Sequence, residues 1–260
     1  MFELNVWSVA ILLVAGGAAG AINTLAGGGM MITLPTMVFL GIPETVANGT
    51  SRLGILFQAT SSVLSYRRRG ALELARLKHV VPPVVLGATM GSVLGASLPD
   101  QVFRWIFGGV MFAFAGLLLR RPRPRDEAVR SEPNARYHRA LTRWLILVPV
   151  GIYGGMVQAG MGYVVLGAMT VGLGFSLMEA NILKVAVIGA YTPIAVGVFL
   201  AYGQLNVLAG VVLAVGQAIG AWFGARLALE RGVSLVRGVL LAVIVLSGLQ
   251  LLGFWKWLGF

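Results

Sequence analysis

The chain has 260 residues, 58% hydrophobic and 11% charged, and with a mean hydropathy of +0.87 this composition excludes a soluble globular domain. A net charge of +11 does not signal nucleic acid, because thirteen of the twenty Lys and Arg fall within residues 67–78 and 120–143, as in the cytoplasmic loops of membrane proteins. There is no cysteine, and His79 and His138 sit at loop edges, so disulfides, metal centres and cofactors are not expected.

The N-terminal stretch "MFELNVWSVAILLVAGGAAG" carries Glu3 and no Lys or Arg before its apolar run, and reads as a retained first helix rather than a secretory leader. Apolar segments lie near 6–23, 30–41, 45–65, 78–97 and 101–119, and again near 143–158, 162–174, 179–200, 207–228 and 234–252. Most are long enough for a helix to cross roughly 30 Å of hydrocarbon. Runs such as 239–246 lack the alternation of barrel strands. The fold class is therefore an all-α integral membrane protein with Trp7, Trp144, Trp255 and Trp257 as interfacial anchors. The second segment of each set is too short to span, since twelve residues make only about 18 Å of helix.

In the register that sets Leu25 on Gln158, the sequence lies on itself without a gap: "LAGGGM" at 25–30 falls on "QAGMGY" at 158–163, and "LGIPETVAN" at 40–48 on "LGFSLMEAN" at 173–181. Two repeats, about 20–119 and 153–252, are predicted, each with a glycine-broken hairpin or half-helix pair plus three spanning helices. The corresponding organisation is an N-terminal repeat at 1–120, a basic connector at 121–142 and a C-terminal repeat at 143–260.

Loop charge reverses between the copies. "YRRRG" follows the third segment of the first copy, where the second has "FLAYG"; "SLPD" follows the fourth, where the second has "LERGVSLVR". The copies are thus expected to lie opposite ways up, with the 120–143 connector cytoplasmic, both termini extracytoplasmic and ten segments. Fusing the first two segments of each copy into one broken span gives eight crossings, and that count stays open. Inverted repeats suit alternating access.

Gly27, Gly28 and Gly29 mark a helix break, after which residues 30–41 restart as a short helix whose amino end attracts anions. Gly160 and Gly162 mark the same break in the second copy, flanked by Gln158 and Tyr163. The string "ETVANGTSR" brings Asn48, Thr50, Ser51 and Arg52 into a span read as apolar beyond them, and its counterpart "MEANILKV" brings Asn181 and Lys184. Ionisable residues inside a span are costly and mark sites or ion pairs. Ser51 aligns with Lys184, so each copy places one cation near the same symmetry-related position, the pattern of an anion site. Glu44 and Glu179 are candidates for a coupling proton or for charge balance. Pro35 and Pro193 are candidate hinges, and Tyr191 and Thr192 candidates for shaping a pocket. The bland readings stay open: glycines for tight packing, Arg52 and Lys184 snorkelling or paired with Glu44 and Glu179, and Asn48 as a cap.

At "GAINTLAGGGMMITLPTMVFLGIPETVANGTSR", followed by "SYRRRG" and a degenerate second copy, the chain resembles the TauE/SafE family of membrane permeases, the sulfite exporter or TSUP family. That resemblance covers nearly the whole chain. It implies a secondary transporter, not an enzyme, moving a small anion such as sulfite or an organosulfonate like sulfoacetate, coupled to H+ or Na+ across a bacterial inner membrane. The second motif, "AGMGYVVLGAM", departs from the glycine-rich, proline-bearing form common in such families. The absence of cysteine counts against a thiosulfate importer. A passive anion channel of the same fold is the alternative. The expected partners are a small anionic substrate, the lipid bilayer and a coupling ion, in a monomer or homodimer.

Overall fold

The computed structural model describes residues 5–25, 28–68, 72–119 and 139–230. They form helices α1 (Val6–Leu25), α2 (Met30–Phe39), α3 (Glu44–Arg68), α4 (Leu74–Ser97) and α5 (Asp100–Leu119). Then come α6 (Ala140–Met156), α7 (Met161–Gly167), continued by a π-helical turn Ala168–Gly172, α8 (Leu177–Ala201) and α9 (Val207–Glu230). Among the described residues there is no strand. The last predicted segment, 234–252, and most of the basic connector lie outside the described residues, as does Gly27.

Three stretches are long and apolar enough to cross a membrane, Val6–Asn23, Ala75–Ser97 and Glu179–Ala201. Helix α3 is as long as α8, at 25 residues each, but its polar start "ETVANGTSR" lowers its hydropathy. The second elements are short, as their sequences predict: α2 has 10 residues with Pro35 inside it, and α7 has 7 before the π turn. In the register that sets Leu25 on Gln158, Glu44 and Arg68 at the ends of α3 fall on Leu177 and Ala201 at the ends of α8. Leu74 and Ser97 at the ends of α4 fall likewise on Val207 and Glu230 at the ends of α9.

Helix directions follow from which residues meet. Gly16 of α1 faces Leu213 of α9, and one turn on Gly20 faces Gln217 and Ala221, so the two helices run parallel. Gly87, Gly91 and Gly95 of α4 face Val148, Ile152 and Met156 of α6, again parallel. Gly54 and Leu53 of α3 meet Gln217 and Gly210 of α9, and the Thr50 hydroxyl accepts from Asn206 N at 2.9 Å. Arg76 and Ser97 of α4 meet Glu179 and Tyr202 at the two ends of α8. Helices α1, α3 and α9 therefore point one way and α4, α6 and α8 the other. Because α1 and α3 share a direction, the chain recrosses between them by way of α2.

The seams between α1 and α9 and between α4 and α6 bring backbone against backbone. A methyl on Gly220 would overlap the Gly17 carbonyl, and one on Gly155 the Ala88 carbonyl. Small residues allow this approach, and in lipid, where apolar burial drives little, close van der Waals packing replaces it. Each seam joins a described helix that precedes the basic connector to one that follows it, so the helices on the two sides of the connector are interlaced.

Candidate functional site

Helices α3 and α8 cross antiparallel at the centre: Asn181 near the start of α8 donates to the Tyr66 hydroxyl near the end of α3 at 3.4 Å. Between them lies a cavity of ≈ 40 Å³ for the centres of water molecules, enough for roughly three waters. Helix α3 lines it with Ile55, Gln58, Ala59, Ser62 and Tyr66, and α8 with Asn181, Lys184, Val185 and Ile188. These positions recur every three or four residues, so each set is one helix face. Asn23 from the end of α1 and Gly162 from the start of α7 complete the wall.

Lys184 is 4% exposed. Its ammonium donates to Asn181 Oδ1 at 2.7 Å, and among the described residues no carboxylate lies within ion-pair distance of it. Asn23 donates to Gln58 Oε1 at 2.9 Å and Gln58 to the Gly20 carbonyl at 3.4 Å, which fixes two side-chain amides on the wall. The wall presents one cation, amides and hydroxyls, with apolar surface from Ile55, Ala59, Val185 and Ile188.

Arg52 lies elsewhere. Its guanidinium is fully buried and donates to the carbonyls of Gly154 at 3.3 Å and Met156 at 3.5 Å, and to Gly155. Those carbonyls end α6, where the helix has no partner of its own for them and carries its negative dipole end. Asn48 donates to the Met156 carbonyl at 2.8 Å, and the guanidinium stacks on Phe199, 4.7 Å from its centroid. Arg52 is thus the carboxyl-terminal cap of α6.

The other candidates divide. Gly162, Asn181 and Lys184 come together at the cavity. Thr50 holds the entry to α9, and Ser51 shares a hydroxyl contact of 3.3 Å with Thr33 of α2. Gly28 and Gly29 open α2, their carbonyls accepting from Met31, Ile32 and Thr33. After α6, Gln158 takes a φ of 60° and Gly160 one of 65°; the Gln158 side chain is buried, its amide without a partner among the described residues, and Tyr163 packs on Phe114. Glu44 pairs with Arg104, Nε to Oε1 at 2.6 Å, and Glu179 pairs with Arg76 at 2.6 Å while closing a capping box with Ser176. Neither acid touches Arg52 or Lys184. Pro35 and Pro193 sit inside unbroken helices. Gln58, Ser62 and Tyr66 correct the reading of α3 as apolar past Arg52; their spacing of four is a helical polar stripe that a projection of α3 reveals.

The family model for sulfite exporter TauE/SafE matches residues 12–251. A probable membrane transporter protein, ORF9, from Sinorhizobium sp is 32% identical over 97% of this chain and 95% of its own length. Another from Haemophilus influenzae is 27% identical over 94% of this chain and 93% of its own, and YfcA of Escherichia coli, also a probable membrane transporter protein, is 25% identical over 97% and 92%. No solved structure matches. With the family model spanning nearly the whole chain and an all-helical fold that carries several apolar spans, this multi-pass membrane protein belongs to the sulfite exporter TauE/SafE family.

Proposed function

We propose that the chain is a secondary transporter of a small anion, sulfite or an organosulfonate such as sulfoacetate, working by alternating access of two inverted repeats. The observation that carries this is Lys184, a buried cation without a carboxylate partner among the described residues, facing a cavity of anion size. A buried ammonium left without a counter-charge is unfavourable, and an entering anion supplies that charge. Amides and hydroxyls on the same wall offer hydrogen bonds to its oxygens.

The alternating-access part is supported by the matching ends of α3 with α8 and of α4 with α9 in one register, and by their opposite directions. The parallel pairing of α4 with α6 puts Arg76 and Lys78 at the same end as Arg139 and Arg143, in keeping with a cytoplasmic connector in a bacterial inner membrane. An H+ or Na+ gradient is the proposed energy source. Glu44 and Glu179, each already held by an arginine, balance those arginines in this state.

The test is uptake of sulfite and sulfoacetate by proteoliposomes holding the purified protein, with and without an imposed proton or sodium gradient. Accumulation against the anion's own gradient, lost in Lys184→Gln, is the expected result. A passive channel would only equilibrate the anion. Unchanged uptake in Lys184→Gln would refute the site.

A further inference from the structure

The register that relates the two halves also relates the cavity to a second place in the molecule. Asn181, Asn23, Tyr66 and Gln58 have Asn48, Met156, Phe199 and Tyr191 as their equivalents. The structure gathers these four around Arg52. Asn48 and the Met156 carbonyl are its hydrogen-bond partners, and Phe199 lies under its guanidinium. The Tyr191 hydroxyl lies 2.9 Å from where a Cβ on Gly154 would stand, beside the carbonyl that Arg52 binds. One locus is open and the other is packed shut.

The closed locus is not satisfied within itself. Arg52 Nε and Tyr191 Oη are both fully buried, and both lack a hydrogen-bond partner among the described residues. A buried donor left unpaired is costly, and native structures seldom keep two together without a use for them. Both donate, so together with the guanidinium's charge they suit an anion and reject a cation.

We infer that Arg52, Tyr191 and Phe199 form a second binding station for the anion, the closed counterpart of the Lys184 cavity. This rests on the alternating-access reading above. In the exchanged state the end of α6 withdraws, Arg52 turns its donors from the Gly154, Gly155 and Met156 carbonyls to the anion, Tyr191 adds its hydroxyl, and the Lys184 side closes. Val185 and Ser51 hold the positions equivalent to Arg52 and Lys184, so each station has one cation and the two bind the same anion through different groups.

Tyr191→Phe is the direct test, measured beside Lys184→Gln as sulfite and sulfoacetate uptake into proteoliposomes, with thermal unfolding in detergent as the structural readout. Removing a hydroxyl that has no hydrogen-bond partner among the described residues leaves stability unchanged, whereas losing a bond to a charged ligand lowers the transport rate about ten-fold. Uptake at the parent rate in Tyr191→Phe would overturn the second station; if Lys184→Gln lost transport in that experiment, the first site would stand. Both variants at the parent rate would remove the first site as well.

The chain has no cysteine, so single cysteines report access without background. Ser62→Cys and Ala195→Cys, its equivalent in the other half, are to be labelled with an impermeant thiol reagent from each face. Ser62→Cys reacts from one face at rest, and Ala195→Cys only from the opposite face and only during turnover. A transport-competent Ala195→Cys that never reacts, or that reacts from the same face as Ser62→Cys, would likewise overturn the inference.

Discussion

Ile55 and Ile188, which fall on each other in the register that sets Leu25 on Gln158, line the same cavity. Helices α3 and α8 therefore present matching positions to one cavity. Ala59 lies one turn beyond Ile55, on the same wall. Ala59→Leu would add three carbons to a space of ≈ 40 Å³ for water centres. Competition by sulfoacetate for sulfite binding should weaken about five- to one-hundred-fold, which is what a lost fit of about 1–3 kcal/mol produces, while sulfite itself is less affected. Isothermal titration with both anions reads the difference.

Arg52 and Lys184 should separate by what they hold. Arg52→Gln leaves the last carbonyls of α6 without their donor at a depth where water is scarce, and should cost about 3 kcal/mol of stability. Lys184→Gln removes a buried charge with a single hydrogen-bond partner, and its unfolding temperature should match or exceed that of the parent while anion binding is lost. Thermal unfolding followed by tryptophan fluorescence, with and without sulfite, checks both. Equal destabilisation by the two would contradict the division of roles.

The glycine seams predict a sharp contrast between two outwardly similar changes. Gly220→Ala places a methyl on the Gly17 carbonyl and should destabilise by about 1–3 kcal/mol through forced separation of α1 and α9. Gly109→Ala meets nothing within 4 Å and should change stability by no more than about 0.5 kcal/mol. Expression level and monodispersity in detergent, followed by a melting curve, decide it.

At the start of α8, Ser176→Ala removes the hydroxyl of the capping box with Glu179 and should cost about 1 kcal/mol. The Arg76–Glu179 pair joins α4 to α8, with side chains 20% and 30% exposed, so solvent screens it and its coupling should not exceed about 1 kcal/mol. A double-mutant cycle with Arg76→Gln and Glu179→Gln measures that coupling. A value several times larger would mean that the pair is shielded from water.

Much of this was legible in the residues. Nine described helices fall on predicted apolar segments within a few residues, because long apolar runs separated by polar breaks leave little freedom in a membrane. Lys184 and Asn181 were legible as a pair because their polarity stands out in α8. The destination of Arg52 was not. A cation inside a span has several means of satisfaction, and the carbonyls that Arg52 caps lie far along the chain, on α6 in the other half. Gln58 and Ser62 were missed because α3 reads along the chain as an apolar run; projected on a helix they form a polar stripe with Tyr66, and what that stripe faces depends on α8, far along the chain.

The interlaced seams bear on how such a chain is made. Of the described helices α1 leaves the ribosome first, yet the surface shaped for its glycines belongs to α9, the last of them to be synthesised. Throughout synthesis α1 faces lipid or a holding factor with its small-residue stripe uncovered, and the same delay applies, more briefly, to α4 awaiting α6. Docking of α1 therefore waits until α9 has been made. A ribosome that stalls before α9 would leave a membrane-inserted fragment whose first helix keeps its small-residue stripe uncovered.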